Sequence, residues 1–217
     1  MAGPADVLNQ TLYGCSPFDG VVVPASAMEF DQGSRECRNG AYFDEITALV
    51  RPESIIEVGS WQGASALRLL RGALLYREAR VICVDTWLGS LEHWGALRRI
   101  NGIPVMYGEF MRNVVRGGEA GRVVPLPLPS RLAAALLREL KISADLIYID
   151  GSHDEDSAYE DMTNYWPLLR AGGHMIGDDY DFPTVYAALR RFKQSVGAAA
   201  SASVPTENCW HLGKAPA

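Results

Sequence analysis

Short apolar runs alternate with longer segments of helical periodicity along most of the chain. The runs are rich in β-branched residues, as buried strands are. The segments between them repeat apolar residues every three or four positions, as amphipathic helices do. Strands are predicted at 54–58, 80–85, 122–128, 144–150 and 174–180, with one or more at 203–212, and helices at 41–50, 64–75, 105–115, 131–140, 155–169 and 182–196. This alternation predicts an α/β fold built on a parallel sheet.

Composition narrows the range of partners. The chain has 217 residues, a net charge of −6 and a pI near 5.2. This acidic balance argues against a nucleic-acid or membrane-surface binder and favours small molecules. The four cysteines are scattered without a Cys-x-x-Cys pair, which favours reduced thiols over disulfides or a zinc site. With neither a signal-peptide pattern nor an apolar run of membrane-spanning length, we expect a cytoplasmic protein.

The length predicts one main domain. Residues 1–40 are rich in Gly, Pro, Ser and Asp. They are expected to form an arm or lid over the active site, or else a disordered tail. Residues 41–217 are expected to form a single domain with a helical insertion at about 88–118.

The first predicted strand runs into a glycine turn that contains Glu57, Gly59, Ser60, Gly63 and Ser65. Such a turn lets a ligand approach bare backbone at the carboxyl end of a strand and the positive end of a helix, where open α/β sheets bind nucleotides. The dinucleotide fingerprint needs glycine where this chain has Ser60, which disfavours a nicotinamide oxidoreductase. A tight turn without a ligand is the alternative.

The second predicted strand ends in Asp85, and an aromatic loop follows. In nucleotide-binding α/β folds an acid at this place accepts hydrogen bonds from ribose hydroxyls. The alternative role for Asp85 is that of a helix cap. Thr86 and Trp87 follow at once. Trp87 and Trp94 are candidates for walling an adenine or acceptor ring, or for ordinary packing, and His93 is a candidate for reaching an acceptor group.

Two later strands end in carboxylates, at Asp150 and at Asp178 with Asp179. Because the carboxyl ends of neighbouring parallel strands lie together, we expect the three acids to meet. Like charges repel unless they share protons, meet basic groups or bind a cation. Oxygen ligands suit Mg²⁺, with Ca²⁺ and Mn²⁺ as chemical relatives, and such an ion would lower the pKa of a substrate hydroxyl. Helix capping by Asp179 is the alternative.

Two sets of motifs resemble a known family. The pattern Glu57-x-Gly59-x-x-x-Gly63 resembles the first motif of class I S-adenosylmethionine-dependent methyltransferases. Residues 149–153, Ile-Asp-Gly-Ser-His, and 172–180, Gly-Gly-His-Met-Ile-Gly-Asp-Asp-Tyr, resemble the metal-dependent macrocin-type O-methyltransferases. The similarity extends over about residues 46–192. It implies a Rossmann-like sheet of seven strands, mostly parallel with the last strand antiparallel, flanked by helices.

The resemblance also implies residue roles. Magnesium would be bound by Asp150, Asp178 and Asp179. The acid of the glycine turn would lie near the methionine part of the cofactor, and the turn after the third strand, with Leu128 and Ser130, would touch the adenine. Ser130 as a plain helix cap is the alternative. The implied contacts to S-adenosylmethionine are Glu57, Gly59, Ser60, Gly63, Ser65, Asp85, Thr86, Trp87, Ser130 and Asp150.

The sequence departs from the metal-dependent O-methyltransferases at the positions of the general base. Macrocin-type enzymes tend to carry a second Asp where this chain has Ser152, and catechol-type enzymes place a lysine at the position of His153. A histidine with a pKa near 6.5 is well suited to take a hydroxyl proton at neutral pH. We expect His153 to be the base, with Asp150 as the second catalytic residue; the alternative is that His153 caps or packs the following helix.

Together these features predict an S-adenosylmethionine-dependent O-methyltransferase that acts, with magnesium, on a hydroxyl of a small molecule of sugar or natural-product type. A metal-independent methyltransferase and a non-catalytic S-adenosylmethionine-binding protein are the alternatives. No nucleic-acid or membrane partner is expected. Because relatives are often dimers or larger, a homo-oligomer is one expected state.

Overall fold

A computed structural model describes residues 5–22, 38–90, 93–95 and 97–216. Its strands are β1 (Ser54–Val58), β2 (Arg80–Asp85), β3 (Arg99–Ile100), β4 (Ile103–Pro104), β5 (Val123–Pro127), β6 (Ala144–Ile149), β7 (Leu169–Gly177), β8 (Ala200–Ser203) and β9 (Trp210–Lys214). Seven of them form one sheet in the order β5-β2-β1-β6-β7-β9-β8. Six of these strands run in the same direction, and β9 runs antiparallel to both of its neighbours. The predicted fold class is confirmed, and the last strand lies between β7 and β8.

Helices cover both faces of this sheet. They are α1 (Asp6–Tyr13), α2 (Gly40–Val50), α3 (Ala64–Leu74), α4 (Met106–Arg116), α5 (Ser130–Glu139), α6 (Glu155–Tyr165) and α7 (Pro183–Val196). One apolar cluster contains side chains of α2, α3 and α4, and a second contains side chains of α5, α6 and α7. The domain therefore has three layers, with the sheet in the middle.

The central strand β1 shows how one short run serves both layers. All five of its residues are buried. Because side chains alternate along a strand, Ile56 and Val58 join one apolar cluster while Ile55 joins the other. Burial on both faces explains the nearly continuous apolar sequence. The exception is the buried Glu57, which belongs to the candidate site.

The prolines at 125 and 127 predict that the strand lies near a sheet edge or bends, and β5 is an edge strand. Its outer side is covered by α1. The Asn9 side-chain amide donates to the Val123 carbonyl at 3.2 Å, and the Tyr13 hydroxyl donates to the Pro125 carbonyl. The two acceptors are two residues apart, so both face away from β2. Helix α1 therefore occupies the side on which another strand would pair.

β7 begins earlier than predicted and carries an irregularity. Its pairing with β6 changes register between Ala144 and Leu146. The sequence Ala-Gly-Gly at 171–173 predicts a C-terminal glycine cap for the helix at 155–169, and this prediction is wrong, because Gly172 lies inside β7 with a φ of +74°. Helix α6 ends at Tyr165, two residues before Pro167, whose nitrogen has no hydrogen to donate to a helix. A short 3₁₀ turn connects α6 to β7.

The segment before β5 contains the predicted helix, observed as α4, and a β3–β4 hairpin that no pattern indicated. Residues 91, 92 and 96 of the aromatic loop, and residues 1–4 and 23–37 of the predicted arm, lie outside the described residues. None of the helices in the described ranges is long and apolar enough to cross a membrane.

Candidate active site

The loops at the carboxyl ends of β1, β2, β5, β6 and β7 surround a cavity of about 910 Å³. This volume is typical of small-molecule sites. The sequence-predicted residues that line it are Gly59, Ser60, Ser65, Asp85, Thr86, His93, Leu128, Ser130, Asp150, His153, Asp178 and Asp179. Glu57, Gly63 and Trp87 are not among its lining residues.

The glycine turn joins three neighbouring strands. Gly59 has a φ of +90° and Gly63 a φ of +86°, in the region that favours glycine. A Cβ atom on Gly59 would overlap the backbone carbonyl of Asp150, so the turn after β1 touches the loop after β6 backbone to backbone. The N–H of Gly59 also donates to the carbonyl of Val84 in β2, at 2.8 Å.

Glu57 is fully buried beneath this turn. Among the described residues neither of its carboxyl oxygens has a hydrogen-bond partner. Burial raises the pKa of Glu57 to about 7, and the nearby hydroxyls of Ser60 and Ser65 offset only part of that effect. A buried acceptor without a donor is costly. It fits a ligand that brings a positive charge or an N–H group to the turn.

Asp85 holds the backbone around the cavity. Its Oδ2 accepts the N–H of Trp61 at 2.8 Å, and its Oδ1 accepts the N–H of Trp87 at 2.7 Å. Burial raises its pKa in spite of these bonds. Asp85 does not cap a helix, since the next helix in the described part of the chain is α4. Its ribose role stays a prediction.

The aromatic wall of the cavity differs from the one expected. Trp87 is 1% exposed, and its ring packs 4.7 Å from that of Phe110, while Trp94 is half exposed and does not line the cavity. Trp61 and His93 do line it, with ring centroids 4.8 Å apart. Trp61 lies between the two glycines of the turn, and that position was the signal that could have found it.

Two of the strand-end acids share a tyrosine. The Tyr148 hydroxyl lies 3.1 Å from Asp150 Oδ2 and 3.2 Å from Asp178 Oδ2. Asp178 Oδ1 accepts the Asn208 side-chain amide at 2.7 Å and the backbone N–H of Asp179 at 2.8 Å. Burial, followed by the charges of Asp178 and Asp179, raises the pKa of Asp150 well above its usual range. The alternation of β6 could have indicated Tyr148, but no local pattern indicated Asn208.

The third acid pairs with the predicted base. His153 Nε2 lies 2.7 Å from Asp179 Oδ2, and the His153 ring packs 4.9 Å from that of Phe182. The other Asp179 oxygen is 4.0 Å from the Arg38 guanidinium. Asp179 does not cap α7, whose N-cap residue is Phe182. Helix α6 is capped by Asp154, so His153 is not a cap either.

The donor atoms suit a divalent cation. One ligand atom each from Asp150, His153 and Asp179 lies within 4.8 Å of the others. This set differs from the predicted one, in which Asp178 takes the place of His153. Carboxylate oxygens suit magnesium and manganese, and imidazole also suits zinc and iron. Asp150 and Asp179 belong to both sets.

Ser130 is not a helix cap. The N-cap residue of α5 is Pro129, and the Ser130 hydroxyl instead donates to Asp161 Oδ1 at 2.5 Å. The Tyr165 hydroxyl donates to the Ser130 carbonyl at 2.9 Å. Asp161 lines the cavity, although no sequence pattern singled it out.

The glycine turn and the strand-end acids lie within the part of the chain that matches a known family. The sequence profile of a family described as a methyltransferase domain matches residues 56–180, more than half of the chain. The chain belongs to this family. The prediction of a class I S-adenosylmethionine-dependent methyltransferase is therefore confirmed. None of the curated protein sequences matches this methyltransferase.

Solved structures share its fold at low sequence identity. An O-methyltransferase from Bacillus cereus in complex with S-adenosylhomocysteine has a TM-score of 0.62 and 18% identity, with 98% of this methyltransferase and 97% of that chain covered. TomG from Streptomyces achromogenes, an O-methyltransferase of tomaymycin synthesis in complex with S-adenosylmethionine, has a TM-score of 0.56 and 15% identity, over 99% and 97%. The calicheamicin methyltransferase CalS11 has a TM-score of 0.62 and 17% identity, over 81% and 78%.

Proposed function

We propose that this methyltransferase moves the methyl group of S-adenosylmethionine to a hydroxyl oxygen of a small molecule. The observation that carries the proposal is the pairing of His153 with Asp179 on the wall of the cavity that also contains the glycine turn. A hydroxyl is a weak nucleophile until a base takes its proton. A cavity with an imidazole held by a carboxylate supplies such a base.

His153 is the proposed base. When its Nε2 carries the ring proton, that N–H donates to Asp179. Asp179 orients the ring and stabilises the imidazolium that forms. Displacement at the methyl carbon needs acceptor oxygen, carbon and sulfur in line, so the loops mainly contribute alignment.

We also infer that a magnesium ion is held by Asp150, Asp178 and Asp179. Support comes from the raised pKa of Asp150, since three neighbouring carboxylates repel one another unless a cation is near. When bound, the ion would lower the pKa of the acceptor hydroxyl and stabilise the resulting oxyanion. Tyr148 and Asn208 hold the carboxylate of Asp178 in place by hydrogen bonds.

The acceptor class is proposed from the shape of the site and from the relatives. The aromatic pair of Trp61 and His93 suits a flat or ring-containing molecule. The printed names of two structural relatives refer to calicheamicin and to tomaymycin synthesis. We propose an acceptor of natural-product type, with a hydroxyl on a ring or sugar.

The test of the chemistry uses methyl-labelled S-adenosylmethionine with a panel of catechols, flavonoids and glycosides. Wild type should form base-stable methyl ethers, and His153→Ala should lower kcat by about 10²- to 10⁴-fold, as expected for loss of a general base. Asp156→Asn, at an exposed carboxylate of α6, should leave kcat unchanged. Label recovered as base-labile ester or as methylamine would contradict transfer to a hydroxyl.

The metal is tested separately with Mn²⁺ as a paramagnetic probe. Wild type should bind about one ion that Mg²⁺ displaces. Asp179→Asn should weaken that binding about tenfold or more, whereas Asp181→Asn, at a more exposed neighbour, should not change it. Equal Mn²⁺ affinity in wild type and Asp179→Asn would contradict the site and favour metal-independent transfer.

A further inference from the structure

Asp161 presents an unsatisfied carboxylate oxygen to the cavity. It lies on α6, is 5% exposed and lines the cavity. Its Oδ1 accepts the Ser130 hydroxyl at 2.5 Å, whereas Oδ2 has no hydrogen-bond partner among the described residues. Oδ2 lies against Gly151, so closely that a Cβ atom there would be 2.9 Å away. Because Gly151 has no side chain, it leaves this side of the carboxylate uncovered.

The neighbouring charges do not stabilise the ionised form of this carboxylate. Burial raises the pKa of Asp161 to about 6, the neighbouring charges of Glu160 and Asp154 raise it further, and only the Ser130 hydroxyl opposes them. At neutral pH the group is therefore mainly ionised. A buried, ionised acceptor with one hydrogen bond needs a further donor, and a ligand in the cavity can supply it.

The position of Asp161 limits which donor that is. Ser130 follows β5, and Gly151 follows β6, so Asp161 contacts the loops of two strands that are separated in the sheet by β2 and β1. The reacting cluster of His153 and Asp179 lies instead where β6 and β7 end. Asp161 therefore lies between the loops that follow β5 and β6, with Oδ1 toward Ser130 and Oδ2 toward Gly151.

The cofactor offers three kinds of donor: the ammonium of its methionine part, the ribose hydroxyls and the exocyclic amino group of adenine. The methyl group must face His153, which places the methionine part and the sulfur near that cluster and near Glu57. The ribose hydroxyls are assigned to Asp85. The adenine is the part of the molecule farthest from the methionine end, and its amino group is the donor that remains.

We propose that Asp161, oriented by Ser130, accepts a hydrogen bond from the exocyclic amino group of the cofactor's adenine and selects adenine over other purines. This role rests on the cofactor of the proposed function, and it is independent of the acceptor and of the metal. A purine with a carbonyl oxygen at the same position would place one acceptor against another, which the site disfavours.

The test compares S-adenosylhomocysteine with S-inosylhomocysteine, in which a carbonyl oxygen replaces the amino group. Titration calorimetry without acceptor or metal measures both affinities. Wild type should prefer the adenosyl compound by about tenfold or more, as a hydrogen bond to a charged group implies. Asp161→Asn should reduce that ratio by about tenfold, because its amide can turn an N–H toward the carbonyl oxygen of inosine.

Asp161→Asn keeps the size of the side chain and removes a buried charge, so the variant should fold. Asp156→Asn lies on the exposed face of the same helix and should keep the wild-type ratio. An unchanged ratio in Asp161→Asn, with S-adenosylhomocysteine still bound, would overturn the role of Asp161 alone. If Asp161→Asn instead lost the preference for S-adenosylhomocysteine over its 3′-deoxyribose analogue, Asp161 would be assigned to the ribose. Failure of wild type to bind S-adenosylhomocysteine would contradict the cofactor itself.

Discussion

At the scale of single residues, the buried Glu57 beneath the glycine turn contributes to the pH dependence of stability. Glu57 has a pKa of about 7 in the folded protein and 4.5 as its ordinary value. The unfolded chain therefore loses this proton at lower pH than the folded one. The free energy of unfolding should fall by about 3 kcal/mol on this account between pH 4.5 and 7, and this contribution should be constant above pH 7.

Glu57→Gln removes that dependence, because glutamine resembles the protonated acid and does not titrate. Urea unfolding should show the variant about 3 kcal/mol more stable than wild type at pH 8 and about equally stable at pH 4. Glu78→Gln, at an exposed carboxylate, should follow the wild-type profile. A Glu57→Gln profile parallel to that of wild type would show that the pKa of Glu57 is the same in the folded and the unfolded chain.

Gly59 is required for a second reason besides its backbone conformation. Gly59→Ala forces a Cβ atom onto the Asp150 carbonyl, whereas Gly118→Ala has the same left-handed φ, at +79°, with open space around it. Gly118→Ala should cost about 1–2 kcal/mol, and Gly59→Ala clearly more, with loss of S-adenosylhomocysteine binding. Urea unfolding and calorimetry measure both. Equal costs would show that backbone contact between β1 and β6 is unimportant.

Residues that directly follow a strand were predictable, and their partners were not. Asp150, Asp178 and Asp179 end apolar runs, so the parallel arrangement of the strands was enough to bring them together. Arg38 and Asn208 reach the same carboxylates from distant parts of the chain, and such contacts leave no local pattern in the sequence.

At the scale of elements, α1 protects an edge that would otherwise be open to other strands. Asn9 is 1% exposed, so Asn9→Leu should leave the Val123 carbonyl without its donor and cost about 1–3 kcal/mol. Thr11→Ala, on the exposed side of the same helix, should change stability by less than about 0.5 kcal/mol. Affinity for S-adenosylhomocysteine should stay at the wild-type value in both, because α1 does not line the cavity.

Urea unfolding measures the two variants, and light scattering shows whether Asn9→Leu also associates through the uncovered edge. A cost no larger than that of Thr11→Ala would mean that α1 contributes little to the edge. Proline is tolerated in β5 because the N–H that it lacks would point to this outer side, away from β2.

Strands buried on both faces were the elements most clearly indicated by sequence, because β1, β2 and β6 have no polar face to interrupt them. Amphipathic elements were less certain. Helical periodicity predicts Leu49 on the apolar side of α2 together with Tyr42 and Ile46, yet Leu49 is 67% exposed, and Phe43 and Thr47 are buried instead. Helical periodicity defines a stripe, but the element that packs on the helix decides which side of the stripe is covered.

At the scale of the whole molecule, the fold class followed from alternating strands and helices, whereas the order of the last strands required the structure. Nothing in the sequence of β8 or β9 states which of them pairs with β7. That choice depends on how the chain packs as a whole, because β8 and β9 are short strands near the end of the chain, and β9 pairs with both β7 and β8.

The position of β9 has a consequence for synthesis. A ribosome releases β7 and β8 before β9, yet β8 pairs only with β9, and β9 fills the place beside β7. Until the last strand emerges, the nascent chain carries a parallel sheet with an open flank at β7 and a loose segment after it. Asn208, which holds Asp178, emerges at the same late stage. Synthesis therefore completes the sheet and the surroundings of the strand-end carboxylates together, and an interrupted translation product would be both incomplete at the cavity and prone to pair with other strands.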